Sequence, residues 1–425
     1  MAAIAAFAMA LPAAPASGEE GYNSDGEGFV VTSAGLLLTP TESPIAVGPV
    51  IMMLGGAGEL VWSKDLEWSG GGYSGFVWND IRYVRSAAVV EGGFVAVGEL
   101  VEKYDAAGSL LWQGGSDDGG MASFYSVAAV DDGFVAVGED RDGGGTVTRF
   151  DGDGEVIWEA CLAAPGKRFV FQSVAAAPDG IYATGYSHDA TQFDDDWSPS
   201  PRDAVIAKFS YGGSLLWSSA NSTLHDSVFC SVAAVPGGAV AVGGSAGSPL
   251  IARYGDGGAL LWEKGVAGVS SLLSVTAVPS GFATVGETNP GSLFDRDAFI
   301  AVFDETGDIV WQEGFGGADD DSFRSVAAVE GGIVAVGHSY PGSFGNGDLA
   351  GIESKSTRDT VIAMFDYAGG VGWVENTPWS LSAAFGSGPD FSGLWFWIGV
   401  TFIVIGLAFA AAYLFSAGRQ GARGA

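Results

Sequence analysis

A phrase that ends in tryptophan recurs along the chain and constrains its fold more than any other feature. The seven copies end at Trp62, Trp112, Trp158, Trp217, Trp262, Trp311 and Trp373. Successive tryptophans are separated by 45 to 62 residues. A second phrase of the type GFVAVG, as in residues 93–98 and 133–138, precedes each copy. Repeats of this length indicate stacked or circularly arranged units, none of which buries its apolar faces alone.

Each unit contains four short apolar segments, which we predict to be strands. A typical unit contains SVAAV, GFVAVG, VIAKF and SLLW, separated by turns rich in Gly and Asp. Short apolar runs bounded by such turns favour strands over helices. Four antiparallel strands in 45 to 60 residues are typical of a β-propeller blade. The repeat therefore predicts an all-β fold, a seven-bladed β-propeller of four-stranded antiparallel blades over residues 18–385.

The order of the segments predicts the inside and outside of the ring. The first segment of a unit is rich in Ala and Ser, which suits innermost strands that crowd around a channel. The tryptophan ends the outermost strand, where it would fill the wedge between neighbouring blades. The first unit, beginning at residue 28, lacks an inner segment, and residues 380–385 (SLSAAF) resemble the missing one. We therefore expect the C-terminal segment to complete the first blade.

One copy of the phrase carries a family resemblance. Residues 303–311 (FDETGDIVW) are similar to the D-x-x-T-G-x-x-x-W repeat of quinoprotein-like β-propellers, a family with secreted and cell-surface prokaryotic members. The resemblance covers residues 28–385 and implies the fold without implying an activity. A quinone-dependent dehydrogenase of this family would have adjacent cysteines against its cofactor. Here Cys161 and Cys230 are 69 residues apart, so no quinone cofactor is predicted.

The two ends of the chain predict export and membrane anchoring. Residues 1–17 form a predicted signal peptide, with an apolar run and small residues suited to cleavage, although no basic residue precedes the run. After a short linker, 386–392, residues 393–415 contain no charge and would extend about 34 Å as a helix. That length predicts one transmembrane helix. The basic tail 416–425 would be cytoplasmic, which places the propeller outside the cell, at the membrane.

The composition excludes several classes of function. The formal net charge is −32, from 50 acidic and 18 basic residues, and such a charge repels nucleic acid. There are three histidines, all scattered, and no Cys/His cluster that would indicate structural zinc or attached haem.

Long loops on one face of the predicted propeller are the candidate ligand-binding regions. They are residues 186–203, 287–297 and 338–359. Long loops on a rigid scaffold often carry function, although plain surface insertions are the alternative. The candidate ligand-binding residues are Asp194, Asp195, Asp196, Trp197, His338 and Tyr340. An Arg-Asp pair precedes the third strand three times, at 202–203, 296–297 and 358–359, where the Asp would accept backbone hydrogen bonds.

Other candidate sites concern metal, disulfide and carbohydrate. The run Asp319, Asp320 and Asp321 offers the oxygen ligands that Ca²⁺ prefers, although a solvated acidic loop is the alternative. Cys161 and Cys230 would form a disulfide outside the cell or else stay separate thiols. Asn221 begins an N-x-S/T glycosylation sequence.

The sequence therefore favours a non-catalytic binding or scaffold module in adhesion or envelope assembly. Its expected partner is an extracellular protein or glycan. The alternative is a propeller enzyme, either a quinone-dependent dehydrogenase or a glycan hydrolase. Glycan hydrolysis requires two facing carboxylates, and the sequence singles out no such pair.

Overall fold

A computed structural model describes five strands between residues 19 and 65 and most of residues 84–378. The gaps in the second range are residues 99, 115–122, 191–200, 222–225, 289–295 and 357. All the described strands lie within one compact unit, Met1–Ser380. The segments predicted as signal peptide, transmembrane helix and basic tail lie outside the described residues, as does the predicted closing strand 380–385.

The described structure is all-β, with six four-stranded antiparallel sheets arranged as propeller blades. Blades 1 to 3 contain β6–β9 (Val84–Val90, Gly93–Gly98, Val101–Asp105, Leu110–Gly114), β10–β13 (Ser123–Val130, Gly133–Glu139, Gly145–Asp151, Val156–Leu162) and β14–β17 (Lys167–Ala177, Gly180–Asp189, Asp203–Phe209, Leu215–Asn221). Blades 4 to 6 contain β18–β21 (Ser227–Val235, Gly238–Ser245, Ser248–Gly255, Leu260–Lys264), β22–β25 (Val269–Val278, Gly281–Thr288, Ala298–Phe303, Ile309–Phe315) and β26–β29 (Asp321–Val329, Gly332–Ser339, Asp359–Asp366, Val371–Pro378). In every blade the strands pair in sequence order. The first strands of neighbouring blades contact one another, which confirms that they are innermost.

The prediction of a seven-bladed propeller is wrong for the described structure, which has six four-stranded blades. The predicted transmembrane helix, residues 393–415, lies outside the described residues. The first predicted unit, beginning at residue 28, falls in a five-stranded sheet, with strands β1–β5 at Glu19–Glu20, Val30–Val31, Leu36–Thr39, Val50–Leu54 and Leu60–Asp65. This unit lacks an S-x-x-A-V segment and has an extra apolar run at residues 36–38, so it cannot repeat the four-strand pattern. No helix in the described part of the chain is long and apolar enough to cross a membrane.

Each innermost strand carries a β-bulge just before its serine. The six bulged residues are Arg85, Tyr125, Gln172, Cys230, Leu273 and Arg324. The residue before the bulge pairs with the last Gly of the GFVAVG phrase, as Phe229 does with Gly243. A Cβ on Gly243 would lie 2.0 Å from the backbone oxygen of Val228. The recurring Gly therefore lets the bulged strand approach its neighbour, which explains its place in the repeat.

The serine after the bulge joins each blade to the next. Its hydroxyl oxygen accepts a hydrogen bond from a backbone amide on the innermost strand of the following blade, at 3.1 to 3.3 Å. The acceptor and donor pairs are Ser86 and Val127, Ser126 and Val174, Ser173 and Val232, Ser231 and Val275, and Ser274 and Val326. All five serines are fully buried. Five equivalent bonds thus connect the six blades around the channel.

The serine bonds form an inner seam between the blades, and the tryptophans form a second seam between the blades at the outer edge. Trp217 donates from Nε1 to the backbone oxygen of Asp256, 2.7 Å away in the turn of the next blade. A Cβ on Gly258 in that turn would lie 2.6 Å from the Trp217 ring, so the turn needs glycine here. Equivalent Nε1 bonds come from Trp158, Trp262 and Trp311. Between the two seams, five apolar clusters fill the five spaces between consecutive blades, and each includes partly buried Trp side chains, as predicted for the wedge.

We predict that Ser173→Ala lowers the free energy of unfolding by about 1 to 3 kcal/mol, because it leaves the buried amide of Val232 without its acceptor. Urea denaturation of the purified protein measures the change. Ser218→Ala is the matched control, since Ser218 is exposed on the outermost strand of the same blade. Equal denaturation midpoints for the two variants would contradict a structural role for the inner hydroxyl.

Gly243→Ala should destabilise the fold by at least about 2 kcal/mol, because its new methyl group would overlap the backbone of the bulged strand. Thermal unfolding followed by circular dichroism checks this. Gly257→Ala serves as control, because a Cβ at Gly257 meets no atom within 4 Å. If both variants melt with the parent protein, close packing at the bulge is not the reason for this glycine.

Candidate functional site

Residues at the ends of the long loops of blades 5 and 6 are joined through the connection between these two blades. Arg296, at the end of the loop between β23 and β24, donates its amide to Asp320 Oδ1 at 3.0 Å. The amide of Asp321 donates to the backbone oxygen of Arg296 at 2.6 Å. The amide of Tyr340, in the loop between β27 and β28, donates to the backbone oxygen of Asp320 at 3.3 Å. The described ends of the two loops, at Arg296 and Tyr340, are therefore both joined to the connection between the blades.

The loop from Tyr340 to Arg358 is ordered. It contains two single-turn 3-10 helices, Pro341–Ser343 and Gly347–Leu349. Leu349 is fully buried in the apolar cluster between blades 5 and 6. Gly316 and Asp348 exchange two bonds, since the Asp348 amide donates to the Gly316 oxygen at 2.9 Å and the Gly316 amide donates to Asp348 Oδ2 at 3.1 Å. The loop is thus attached to the blades both by the buried side chain of Leu349 and by the hydrogen bonds between Asp348 and Gly316.

The acidic run Asp319–Asp321 fastens this loop through its own hydrogen bonds. Asp321 Oδ2 accepts from the Gly317 amide and from the Ser343 hydroxyl, both at 2.8 Å. The same Ser343 oxygen accepts from the Asp319 amide at 3.1 Å. Among the described residues no three His, Cys, Asp or Glu side chains are grouped to hold a metal ion. The structure thus gives these residues protein partners, and calcium binding there stays a sequence prediction.

The pKa of Asp321 is perturbed by its surroundings. Burial raises it to about 6, against the opposing effect of the bonds from Ser339, Gly317 and Ser343. The folded state therefore binds a proton more tightly at this carboxyl than the unfolded chain does.

Three arginines lie around His338 at the junction of blades 5 and 6. Arg296 Nη1 is 2.7 Å from Glu287 Oε2, and Arg324 Nη2 is 3.0 Å from Glu287 Oε1. Glu287 is almost fully buried and bridges the two guanidinium groups. Burial, together with the positive charges of Arg358, Arg324 and Arg296, holds the pKa of His338 well below its ordinary 6.5. The imidazole is therefore neutral at physiological pH and adds no charge to the cluster.

Arg358 lies against the two aromatic side chains predicted for this site. Its Nη2 is 3.1 Å from each ring nitrogen of His338, and its guanidinium carbon is 5.5 Å from the centre of the Tyr340 ring. The His338 and Tyr340 rings meet edge to face, with centres 5.9 Å apart. Arg358 and Tyr340 are half-buried, so part of each reaches the surface. The structure therefore brings His338 and Tyr340 together around a cation that the sequence analysis had not assigned to the site.

The equivalent Arg-Asp pair of blade 3 has a related arrangement. The Arg202 guanidinium is 5.6 Å from the centre of the Tyr186 ring, and its Nε donates to Asp226 Oδ1 at 2.8 Å. This bond lowers the pKa of Asp226. The second residue of the pair has the expected local role in blade 6, where Asp359 Oδ2 accepts from the Lys355 amide at 2.7 Å.

The remaining candidate residues are either outside the site or outside the described structure. Asp194, Asp195, Asp196 and Trp197 lie outside the described residues. Cys161 and Cys230 are free thiols, and Cys161 Sγ lies 3.3 Å from Asp140 Oδ2. The two thiols belong to blades 2 and 4, and blade 3 intervenes between these blades in the chain. Asn221 is the last residue of β17, and its glycosylation stays a prediction.

Sequence reasoning missed the arginine cluster for an identifiable reason. Arg296 and Arg358 were recognised as members of Arg-Asp pairs, but only the Asp was given a role. Arg324 occupies the bulge position, which no repeat phrase marks because five different residue types fill its six copies. A comparison of the residues just before each S-x-x-A-V serine could have found it.

Comparison with known proteins returns only weak similarities to solved structures. No family model matches the chain. No curated protein matches it either. The chain is similar to a europium-containing methanol dehydrogenase at 11% identity and a TM-score of 0.44, covering 86% of this chain and 79% of that one. It is also similar to the computationally designed Ika8 protein at 13% identity and a TM-score of 0.44, covering 85% and 87% of the two chains.

A third similarity is to a protein of unknown function from Bacteroides caccae, at 15% identity and a TM-score of 0.38, covering 69% and 94% of the two chains. Similarities this weak carry no argument about activity. The strand pairing itself establishes the β-propeller, and the resemblance of residues 303–311 to quinoprotein-like repeats stays a sequence observation.

The raised pKa of Asp321 predicts a pH dependence of stability. Its contribution is full below the unfolded value of 3.8 and is lost as pH rises through about 6, amounting to about 3 kcal/mol. Urea denaturation of the parent protein and of Asp321→Asn at pH 4 and pH 7 tests this. In the parent protein the free energy of unfolding should contain this contribution at pH 4 and lose it by pH 7. The variant lacks the titrating group, so its change in unfolding free energy between pH 4 and pH 7 should differ from that of the parent by about 3 kcal/mol. Glu330→Gln, at an exposed turn of the same blade, is the control, and an identical shift in both variants would contradict the assignment.

Proposed function

We propose that this protein is a non-catalytic binding module that recognises an extracellular partner through the joined loops of blades 5 and 6. The observation that carries the proposal is the attachment of the Tyr340–Arg358 loop to the connection between the two blades. Backbone and side-chain hydrogen bonds hold this loop on both sides, and Leu349 anchors it in the core. A loop ordered in advance loses little conformational entropy on binding, which is what a recognition surface requires.

The exposed side chains of this loop suit contact with a partner. Pro341, Asn346, Glu353 and Lys355 are exposed, while the residues that fasten the loop, such as Ser343 and Leu349, are buried. The buried residues thus anchor the loop, and exposed side chains such as that of Glu353 are available for a partner.

The extracellular location is supported by the sequence alone. The apolar N-terminal run of residues 1–11 favours export, and the net charge of −32 disfavours nucleic acid as a partner. We propose that the propeller acts at the cell surface in adhesion or envelope assembly.

A binding screen of the purified full chain against cell-envelope fractions and glycans tests the proposal. Tyr340→Ala and Glu353→Arg, both on the loop, should raise the dissociation constant at least tenfold for a bound partner, because each removes contact area or charge complementarity. The control combines Asp153→Asn and Glu155→Gln, in a turn at the opposite end of a blade, and should bind as the parent does.

Thermal unfolding midpoints of all the variants would verify that each is folded. Loss of binding in the control with retention in the loop variants would place recognition on the other face and contradict the proposal.

A further inference from the structure

The outermost strands of the blades carry apolar side chains in contact with solvent. In the described part of the chain, every exposed large aliphatic side chain lies on an outermost strand, within two residues of its tryptophan. These side chains are Leu110, Leu111, Val156, Ile157, Leu215, Leu216, Leu260, Leu261, Ile309, Val310 and Val371. Among the described strands, each outermost strand pairs along one edge only. An open edge with apolar side chains is a place where a further strand can add to a sheet.

The six outer hairpins, each formed by the third and fourth strands of a blade, differ in charge. The outer hairpin of blade 5 is the most acidic. It contains Asp304, Glu305, Asp308 and Glu313 and no Lys or Arg, so its formal net charge is −4. The other outer hairpins have net charges from −3 to 0, and those of blades 3 and 4 are neutral.

Two of the four carboxylates in the blade 5 hairpin already have partners within the protein. Asp304 Oδ1 accepts hydrogen bonds from the amides of Thr306 and Asp308, at 2.9 and 3.0 Å, and so shapes the turn. Asp308 Oδ1 lies 2.9 Å from Lys264 Nζ, which belongs to blade 4. These two residues are therefore assigned to the turn and to the boundary between blades.

The other two carboxylates flank the exposed apolar pair. Glu305 and Glu313 are exposed, and neither is part of an ion pair among the described residues. The charge of Glu305 acts on the buried Arg253, but the hydrogen bonds of that guanidinium go to backbone oxygens. Between the two carboxylates, Ile309 and Val310 are 48% and 53% exposed. Both are β-branched, which suits pairing with another strand.

The charge of this edge determines which strand it admits. In the described sheet, β25 pairs with β24 alone. A second copy of the same edge would bring carboxylates against carboxylates, and the net charge of −32 adds to the repulsion between copies. A basic strand meets opposite charges at Glu305 and Glu313 and an apolar surface between them. The edge is therefore complementary to a basic, apolar segment rather than to itself.

We propose that the free edge of β25 is a docking site for an extended basic segment of a partner protein, in which Lys or Arg alternates with Val or Ile. The segment would add a fifth strand to blade 5, with its apolar side chains on Ile309 and Val310 and its cations beside Glu305 and Glu313. The turn between β24 and β25 and the loop between β23 and β24 are at opposite ends of the blade. The inference therefore concerns a second surface and does not rest on the proposed function.

The test measures fluorescence anisotropy of labelled eight-residue peptides titrated with the full chain at moderate salt. The first peptide alternates Lys with Val, the second alternates Lys with Ser, and the third alternates Glu with Val. We expect the Lys-Val peptide to bind at least tenfold more tightly than either of the others, because only this peptide supplies both the cations and the apolar side chains.

Two double variants of the hairpin separate the apolar from the charged contribution. Ile309→Thr with Val310→Thr keeps the β-branched shape and removes apolar surface. Glu305→Gln with Glu313→Gln keeps the size of the side chains and removes the charge. Each double variant should weaken binding of the Lys-Val peptide at least tenfold.

Matched controls are available elsewhere in the ring. Leu215→Thr with Leu216→Thr makes the same change on the neutral outer hairpin of blade 3. Glu91→Gln with Glu330→Gln removes two exposed carboxylates from turns between first and second strands. Both controls should bind the Lys-Val peptide as the parent does, and thermal unfolding midpoints verify that all four variants are folded.

Hydrogen exchange tests whether the peptide adds as a strand. Exchange of the backbone amides in Ile309–Phe315 should slow at least tenfold when the Lys-Val peptide is bound, because amides on the free edge of β25 gain acceptors. Unchanged exchange in this segment would show that the peptide binds elsewhere and would overturn the proposal.

Other outcomes would also overturn it. Failure of the Lys-Val peptide to bind, or equal binding of the Lys-Ser peptide, would exclude an apolar docking edge. Equal weakening by Glu91→Gln with Glu330→Gln would leave only the general attraction of an acidic protein for cations. Self-association of the parent in sedimentation experiments that is lost in Ile309→Thr with Val310→Thr would assign the edge to a second copy. Binding seen only after removal of residues 416–425 would assign it to the basic tail of the chain itself.

Discussion

The hydrogen bond from each inner serine to the next blade is the interaction on which the rest of the structure depends. It requires a hydroxyl on an innermost strand, a bulge that brings it to the blade boundary, and a glycine across from the bulge so that the strands approach. Since buried backbone amides must be bonded, each such serine satisfies a donor that an alanine would leave unpaired. The tryptophan seam at the outer edge repeats the same logic, because an indole N–H bonds a backbone oxygen in the next blade.

The candidate site is built from positions that this framework leaves unconstrained. The bulged residue is an example, since the repeat fixes its place in space and leaves its identity open. In blades 1 and 2 the bulged side chains contact each other, with the Arg85 guanidinium carbon 4.4 Å from the centre of the Tyr125 ring. In blade 6 the same position holds Arg324, which binds Glu287 of the preceding blade. Different side chains at the bulge position are thus compatible with strict repetition of the rest of the innermost strand.

The fold could be predicted from the sequence to the extent that it repeats. The four apolar segments per unit, their order and the wedge role of the tryptophans follow from period, turn residues and side-chain size, and the structure confirms them. The sequence predicts one blade too many because every copy of the Trp phrase is taken as a blade. The copy that ends at Trp62 lacks the S-x-x-A-V segment that forms the innermost strand of the other units, and the strands described between residues 19 and 65 form a five-stranded sheet. The site was only partly predictable, since His338 and Tyr340 stand out in the sequence at the end of β27, whereas the convergence of Arg296, Arg324 and Arg358 depends on neighbouring blades.

In both seams the serine or tryptophan of one blade contacts the blade that follows it in the chain. This constant order affects how a chain of this kind can evolve. Each of blades 1 to 5 carries a serine and a tryptophan that contact the blade after it, and each of blades 2 to 6 carries an amide and a turn glycine that receive them. A tandem duplication of one unit would therefore bring a complete pair of complementary edges with it. Ring size can change by gene duplication without compensating mutations at the new boundary, while the loops above each unit diverge independently.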